Sequence, residues 1–244
     1  MGAGQAGYPG YVFEWQSRLT HNLYVSMVMT SQNFKVIATG LEFPEGPIAM
    51  KDGSILLVEI KRGTLTRVLP TGEQEIVAEL GGGPNGIAIG PGGQCYVCNN
   101  GGFDWHTDTA GNRPTLQPAS YSGGRIEVVD LDTGSVEVLY TEVNGVSLSG
   151  PNDIVFDAQG GFYFSDLGKV RRHDQDRGRV LYAKADGSFI KTLAAPVEMP
   201  NGVGLSPDES ILYVAETPTA RLWAFDLIEP GRAQKQPWPS PHGG

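Results

Sequence analysis

Only two cysteines occur in the 244 residues, Cys95 and Cys98, and both lie in the stretch QCYVCNN. One C-x-x-C pair with no second Cys or His pair is a poor zinc knuckle. In a strand, residues three apart face opposite sides of the sheet, so the expectation is two packed thiols. Such sparse cysteine fits a reducing cytoplasm, the compartment expected here. No block of Lys and Arg stands out, and the net charge is −9, which argues against a nucleic-acid or anionic-membrane partner. No segment is long and apolar enough to span a bilayer. The stretch LYVSMVM near the N-terminus has neither a basic lead nor a small-residue cleavage site, so it makes a poor signal peptide. Helix-period segments are nearly absent.

What the chain does have is glycine (34), proline (17) and short β-branched runs, the composition of an all-β protein with many tight turns. The order is repetitive. FPEGPIAMKDGSILLVE from Phe43, GPNGIAIGPGGQCYVCNN from Gly83, GPNDIVFDAQGGFYFSD from Gly150 and MPNGVGLSPDESILYVAE from Met199 share one plan. Each runs Pro, then Glu or Asn, then Gly or Asp, an apolar run, a turn and a second apolar run. Two further strands follow, in the first copy GTLTRVL and EQEIVAEL, so each repeat is a four-stranded antiparallel unit. Such a unit is the blade of a β-propeller. Blades start near 44, 84, 151 and 200 in a domain spanning 34–244, and residues 1–33 fit no repeat and read as a loose extension. FKVIATGL from Phe34 looks like a fourth strand without a blade, as a ring closed by its N-terminal strand requires. A ring of such blades needs more than four and about four are present, so a fragment is anticipated.

Strand one, if innermost, places Glu45, Asn85, Asn152 and Asn201 at one end of a central channel. Strand two returns to that end, so Glu59, Asn99, Asn100, Asp166 and Glu216 are expected on an outer rim. Asn after Pro is ordinary turn chemistry, which would suffice for Asn85 alone. Glu has no such preference, and a carboxylate buried without a partner costs several kcal/mol. A bound cation resolves that cost. Oxygen-only donors, one charged and the rest amides, suit a hard ion such as Ca²⁺.

At these residues the chain resembles the senescence marker protein/gluconolactonase family, which includes regucalcin and bacterial sugar lactonases. The resemblance covers about residues 34 to 244 and implies a six-bladed propeller with one divalent ion, Ca²⁺ or Zn²⁺, at the channel mouth. It further implies hydrolysis of a small-molecule lactone, first of all a sugar lactone. Carried over, Glu45 and Asn201 match metal ligands, and Asn152 matches an asparagine that sits at the metal or contacts substrate. Asn85 occupies the equivalent slot of the second blade. Asn100 and Asp166 would border the pocket with the loop DLGKVRRHDQDRG, making Arg171, Arg172 and His173 substrate contacts, although a solvated charged loop is the plainer reading of those three. The family's later Asp-Gly slot, whose aspartate is both ligand and favoured general base, has no counterpart before Gly244, so that base is expected beyond the sequence and this chain is expected to be inactive as it stands. The insert GGFDWHTDTAGNRPTLQPASYSG, residues 101–123, is a long surface loop or part of a lid, with Trp105 and His106 as candidates for substrate packing. Rival functions are a paraoxonase-like or strictosidine-synthase-like enzyme and a non-catalytic ligand-binding propeller. Oligomeric state is not legible, except that open sheet edges favour pairing.

Overall fold

The computed structural model describes residues 35–109 and 111–234. The expected 1–33 extension lies outside these residues, as does Phe34. The described chain is built from strands alone, and no helix in it is long and apolar enough to cross a membrane.

Four four-stranded antiparallel sheets follow one another along the chain. The first contains β1 (Pro44–Ala49), β2 (Ile55–Glu59), β3 (Thr64–Val68) and β4 (Gln74–Glu79). In the second, β5 (Pro84–Ile89) and β6 (Cys95–Asn99) are separated from β9 (Arg125–Val129) and β10 (Val136–Tyr140) by a ribbon, β7 (Trp105–Asp108) and β8 (Gly111–Pro114). A short pair, β11 (Glu142–Val143) and β12 (Val146–Ser147), leads into the third sheet. That sheet comprises β13 (Pro151–Phe156), β14 (Gly161–Asp166), β15 (Gly178–Lys184) and β16 (Ile190–Val197). The fourth comprises β17 (Pro200–Leu205), β18 (Ile211–Glu216), β19 (Arg221–Glu229) and β20 (Arg232–Ala233). Each sheet keeps the sequential order that the repeats predict. The first strands lie side by side, β1 by β5, β5 by β13 and β13 by β17.

The period of two explains how the sheets stack. Along β6, Cys95 and Val97 join Leu56, Val58 and Leu65 of the first sheet, while Tyr96 and Cys98 join Phe162, Phe164 and Leu181 of the third. Tyr163 points the other way, into a cluster with Leu212 and Val214 of the fourth sheet. A strand with apolar groups on both faces can only lie between two layers, and each middle sheet has that pattern. The outermost layers differ. β3, β9 and β15 are largely buried, but β19 is mostly exposed, with Leu222 and Trp223 at its surface.

Residues 35–41 do not form the strand expected from FKVIATGL. Among the described residues they have no ladder partner; the Thr39 carbonyl accepts from the Gln74 side chain (2.8 Å) and the Gly40 carbonyl from Arg62 (2.9 Å). Side-chain bonds to the first sheet replace strand pairing.

Both thiols are free and buried on opposite faces of β6. Burial pushes Cys95 up to about 12 and Cys98 well above the ordinary thiol range, so neither forms the reactive thiolate at neutral pH. Native protein at pH 8 should therefore resist iodoacetamide, and both cysteines should be alkylated once guanidinium unfolds it. Mass spectrometry showing rapid single labelling of native protein would contradict this packing.

Candidate active site

Each first strand begins at its slot proline, two residues earlier than the apolar run alone indicates. The proline pairs with the last residue of strand two: Pro44 with Glu59, Pro84 with Asn99, Pro151 with Asp166 and Pro200 with Glu216. Immediately afterwards the register shifts in all four sheets. A bulge at this point re-aims side chains out of the regular alternation. Glu45, Asn85, Asn152 and Asn201 thereby line one cavity of about 330 Å³, together with Gly46, Gly86 and Asp153. The convergence expected of the four slots is present.

The glycine after the slot residue is dictated by the neighbouring strand. A Cβ on Gly86 would come within 2.5 Å of the Asn152 carbonyl oxygen and 2.6 Å of the Asp153 Cα. Gly46, with φ of +56°, would place one 2.9 Å from the Asn85 carbonyl oxygen. Only a residue without Cβ lets adjacent first strands approach this closely.

Two features of the cavity differ from expectation. Glu45 is exposed, because the whole of β1 is more open than β5 or β13, so an argument from the cost of a buried carboxylate does not hold for it. What remains is the donor set. Asn85 and Asn152 are almost fully buried, yet among the described residues neither amide side chain, nor that of Asn201, makes a hydrogen bond, and their oxygens remain free. Oxygen donors of this kind, with one or two carboxylates, fit a hard divalent cation. The second departure is Asp153, which sequence reasoning passed over because its copies carry Gly in that position. Its carboxylate accepts from the Ile154 and Val203 N–H groups, both at 2.9 Å, and burial raises its pKa against those two bonds. The signal was in the sequence: Asn-Asp breaks the Asn-Gly word in one copy of four.

The expected rim residues serve another purpose. Asp166, only 1% exposed, accepts from Gly150 N–H (2.6 Å) and Ser149 N–H (3.1 Å) and pairs with Arg179. Glu59 accepts from Glu42 N–H, Asn99 from Gly83 N–H and Glu216 from Glu198 N–H. In every sheet the acceptor ending strand two ties down the backbone that leads into the slot. Asp166 is thus saturated by structural bonds and lies outside the cavity lining, contrary to the substrate-binding role expected for it. Asn100 is likewise buried outside it. Its Oδ1 accepts from Gly102 N–H (2.9 Å) and from Lys169 Nζ (3.2 Å), and its Nδ2 has no partner among the described residues. Arg172 and His173 are exposed, in keeping with a solvated loop, whereas Arg171 is held by Asp174 and Asp176. Asp208 lines a different cavity of about 300 Å³, where Ser206 and Ser210 hold its carboxyl down to about 2.

The sequence pattern of the SMP-30/Gluconolactonase/LRE-like region matches residues 43–238, which contain every slot and sheet described above. The chain belongs to that family. A Staphylococcus saprophyticus protein named lactonase drp35 is 29% identical over 86% of the chain and 59% of its own length. A gluconolactonase of Zymomonas mobilis is 26% identical, over 82% of the chain and 57% of the relative. Among solved structures, a gluconolactonase from Xanthomonas campestris superposes with a TM-score of 0.62 at 21% identity, covering 80% of this chain and 61% of that one. A calcium-binding protein, regucalcin, from Agrobacterium tumefaciens does so at 0.60 and 17%, covering 81% and 59%. The chain spans about three-fifths of the length of these relatives.

Slot and cap make opposite predictions for stability. Asp166→Ala strands Arg179 and two N–H groups and should cost about 3–5 kcal/mol. Glu45→Ala removes an exposed side chain and should change stability by no more than about 0.5 kcal/mol. Urea denaturation of both variants checks the division; equal losses would refute it.

Proposed function

We propose that the Glu45 cavity is the active site of a hydrolase that opens a lactone ring. The observation that carries this reading is the convergence of four slot residues from four sheets on one cavity, in a chain of the SMP-30/gluconolactonase/LRE-like family. Glu45, Asn152 and Asn201 are the residues that would hold a divalent ion, Ca²⁺ before Zn²⁺ because every donor is oxygen. Bound there, such an ion polarises an ester carbonyl and stabilises the oxyanion. Asn85 has a free amide on the same wall and orients the lactone. Asp153 is the second carboxylate among the cavity's lining residues. Raised by burial and steadied by two N–H groups, it is placed to take a proton from attacking water.

The ring would be a six-bladed propeller, with two further sheets between the fourth and the first. The open faces of β1 and β19 support this, since the equivalent strands of the middle sheets are covered. The likeness to a gluconolactonase makes a sugar lactone the first substrate to assay. The rival esterase reading is separated by comparing lactones with aryl esters.

In a chain that carries the two further sheets, hydrolysis of gluconolactone should be lost on treatment with a chelator and restored by Ca²⁺. Glu45→Gln should weaken Ca²⁺ binding on the order of 100-fold in calorimetry, because it removes the charged donor of the slot set. Unchanged Ca²⁺ affinity and turnover in that variant would remove Glu45 from the mechanism.

A further inference from the structure

The insert between β6 and β9 is fastened at both ends. Its root sits on Gly101 and Gly102, both with positive φ, and a Cβ on Gly101 would strike the Tyr121 ring at 2.6 Å. Tyr121 in turn donates to the Ser149 carbonyl (2.7 Å), and Gln117 N–H donates to the Val170 carbonyl (2.8 Å), both in loops of the third sheet. From the same loops comes Lys169, a lysine only 1% exposed. Its Nζ donates to the Gly102 carbonyl (2.6 Å) and to Asn100, and lies 4.1 Å from the centre of the Phe103 ring and 5.4 Å from that of Tyr121. At the other end the ribbon reaches the first sheet. Lys61 donates to Asn112 (2.6 Å), and Trp105 packs on Phe43 with ring centres 5.1 Å apart.

These contacts form one row. The Lys169 ammonium touches Phe103, Phe103 stands edge-on to Trp105 at 6.3 Å, and Trp105 rests on Phe43, two residues before Glu45. The row runs from the third sheet across the second to the first, at the end of the strands where the slots lie. All three rings are half-buried. A fully buried ammonium is costly unless its bonds and ring faces are all used, and here they are spent on holding a surface loop.

We propose that the Phe103–Trp105–Phe43 row is the specificity wall of the site, selecting a lactone that carries an apolar substituent, and that Lys169 is the positioning residue that holds it. This rests on the reading of the Glu45 cavity as a lactone site and moves the favoured substrate from a polyhydroxylated ring to an alkyl-substituted one. None of the three rings lines the Glu45 cavity itself; the row borders it through Phe43, so its ring faces would meet the part of the substrate that extends out of the cavity, while the amides address the ester.

The test uses lactams, which mimic the lactone ring and are not hydrolysed, so its outcome is independent of turnover. Calorimetry on the Ca²⁺-supplemented protein compares 5-hexyl-2-pyrrolidinone with 2-pyrrolidinone. The wild type should prefer the alkyl lactam by about 10-fold or more, and Trp105→Ala should reduce the preference to about 2-fold. Lys169→Met should raise deuterium uptake in residues 101–109 and cause the same loss of preference. Should that variant fail to fold, Lys61→Met frees the other end and is read in the same way. A wild type that binds both lactams equally or binds neither, or an unchanged preference in Trp105→Ala, overturns the wall; unchanged uptake overturns the role of Lys169. Selective binding, with no hydrolysis of any lactone by a chain that carries the two further sheets, would instead overturn the hydrolase reading and leave the wall standing.

Discussion

A backbone N–H one or two residues before each slot proline has no strand partner, and the structure depends on where that hydrogen bond goes. In all four sheets it goes to a buried oxygen at the end of strand two, from Glu59, Asn99, Asp166 or Glu216. A carboxylate or amide hidden at 0–4% exposure is tolerable only when its lone pairs are occupied, so the loop and the acceptor fix each other. Once the loop is fixed, proline starts strand one opposite that acceptor, and the register shift that follows aims the next side chain into the cavity. Site geometry is thus a by-product of satisfying one backbone donor four times.

The same bookkeeping separates residues that look alike. Glu45 and Glu59 are both glutamates at one end of the first sheet, and Asn85 and Asn99 both asparagines at one end of the second. Glu59 accepts from Glu42 N–H, Arg62 and Thr66; Asn99 is bonded to Gly81, Gly83, Gly101 and Glu127. Their capacity is used internally. Glu45 accepts only from the adjoining Gly46 N–H, at 3.3 Å, and Asn85 has no side-chain partner among the described residues. Unspent capacity beside a cavity is what a ligand needs, and the slot residues have it where the acceptors that end strand two do not.

Much of this was legible in the sequence because repetition averages out local ambiguity. The order of strands within each sheet, the opposite facing of Cys95 and Cys98 and the convergence of four slots follow from a period of two and a fixed repeat plan. What repetition hides is deviation from itself. Asp153 was passed over since the other copies have glycine there, and the caps were taken for a rim because their spacing is regular whether they face solvent or the backbone. FKVIATGL, expected to complete the last blade of a ring, is a different case: an apolar pattern specifies a face to bury, and a ladder needs a partner edge, which residues 35–41 do not have among the described residues.

The insert shows how one sheet can be elaborated without disturbing the stack. It enters where β6 ends and leaves where β9 begins, so the pairing of β6 with β9 is kept from Cys95↔Val129 to Asn99↔Arg125. All of its added contacts are made outside that ladder, to loops of the first and third sheets. A loop held by one neighbour can swing; one held by two neighbours on either side of its own sheet has its position set by the stack. The aromatic residues of the insert are therefore positioned by the first and third sheets together.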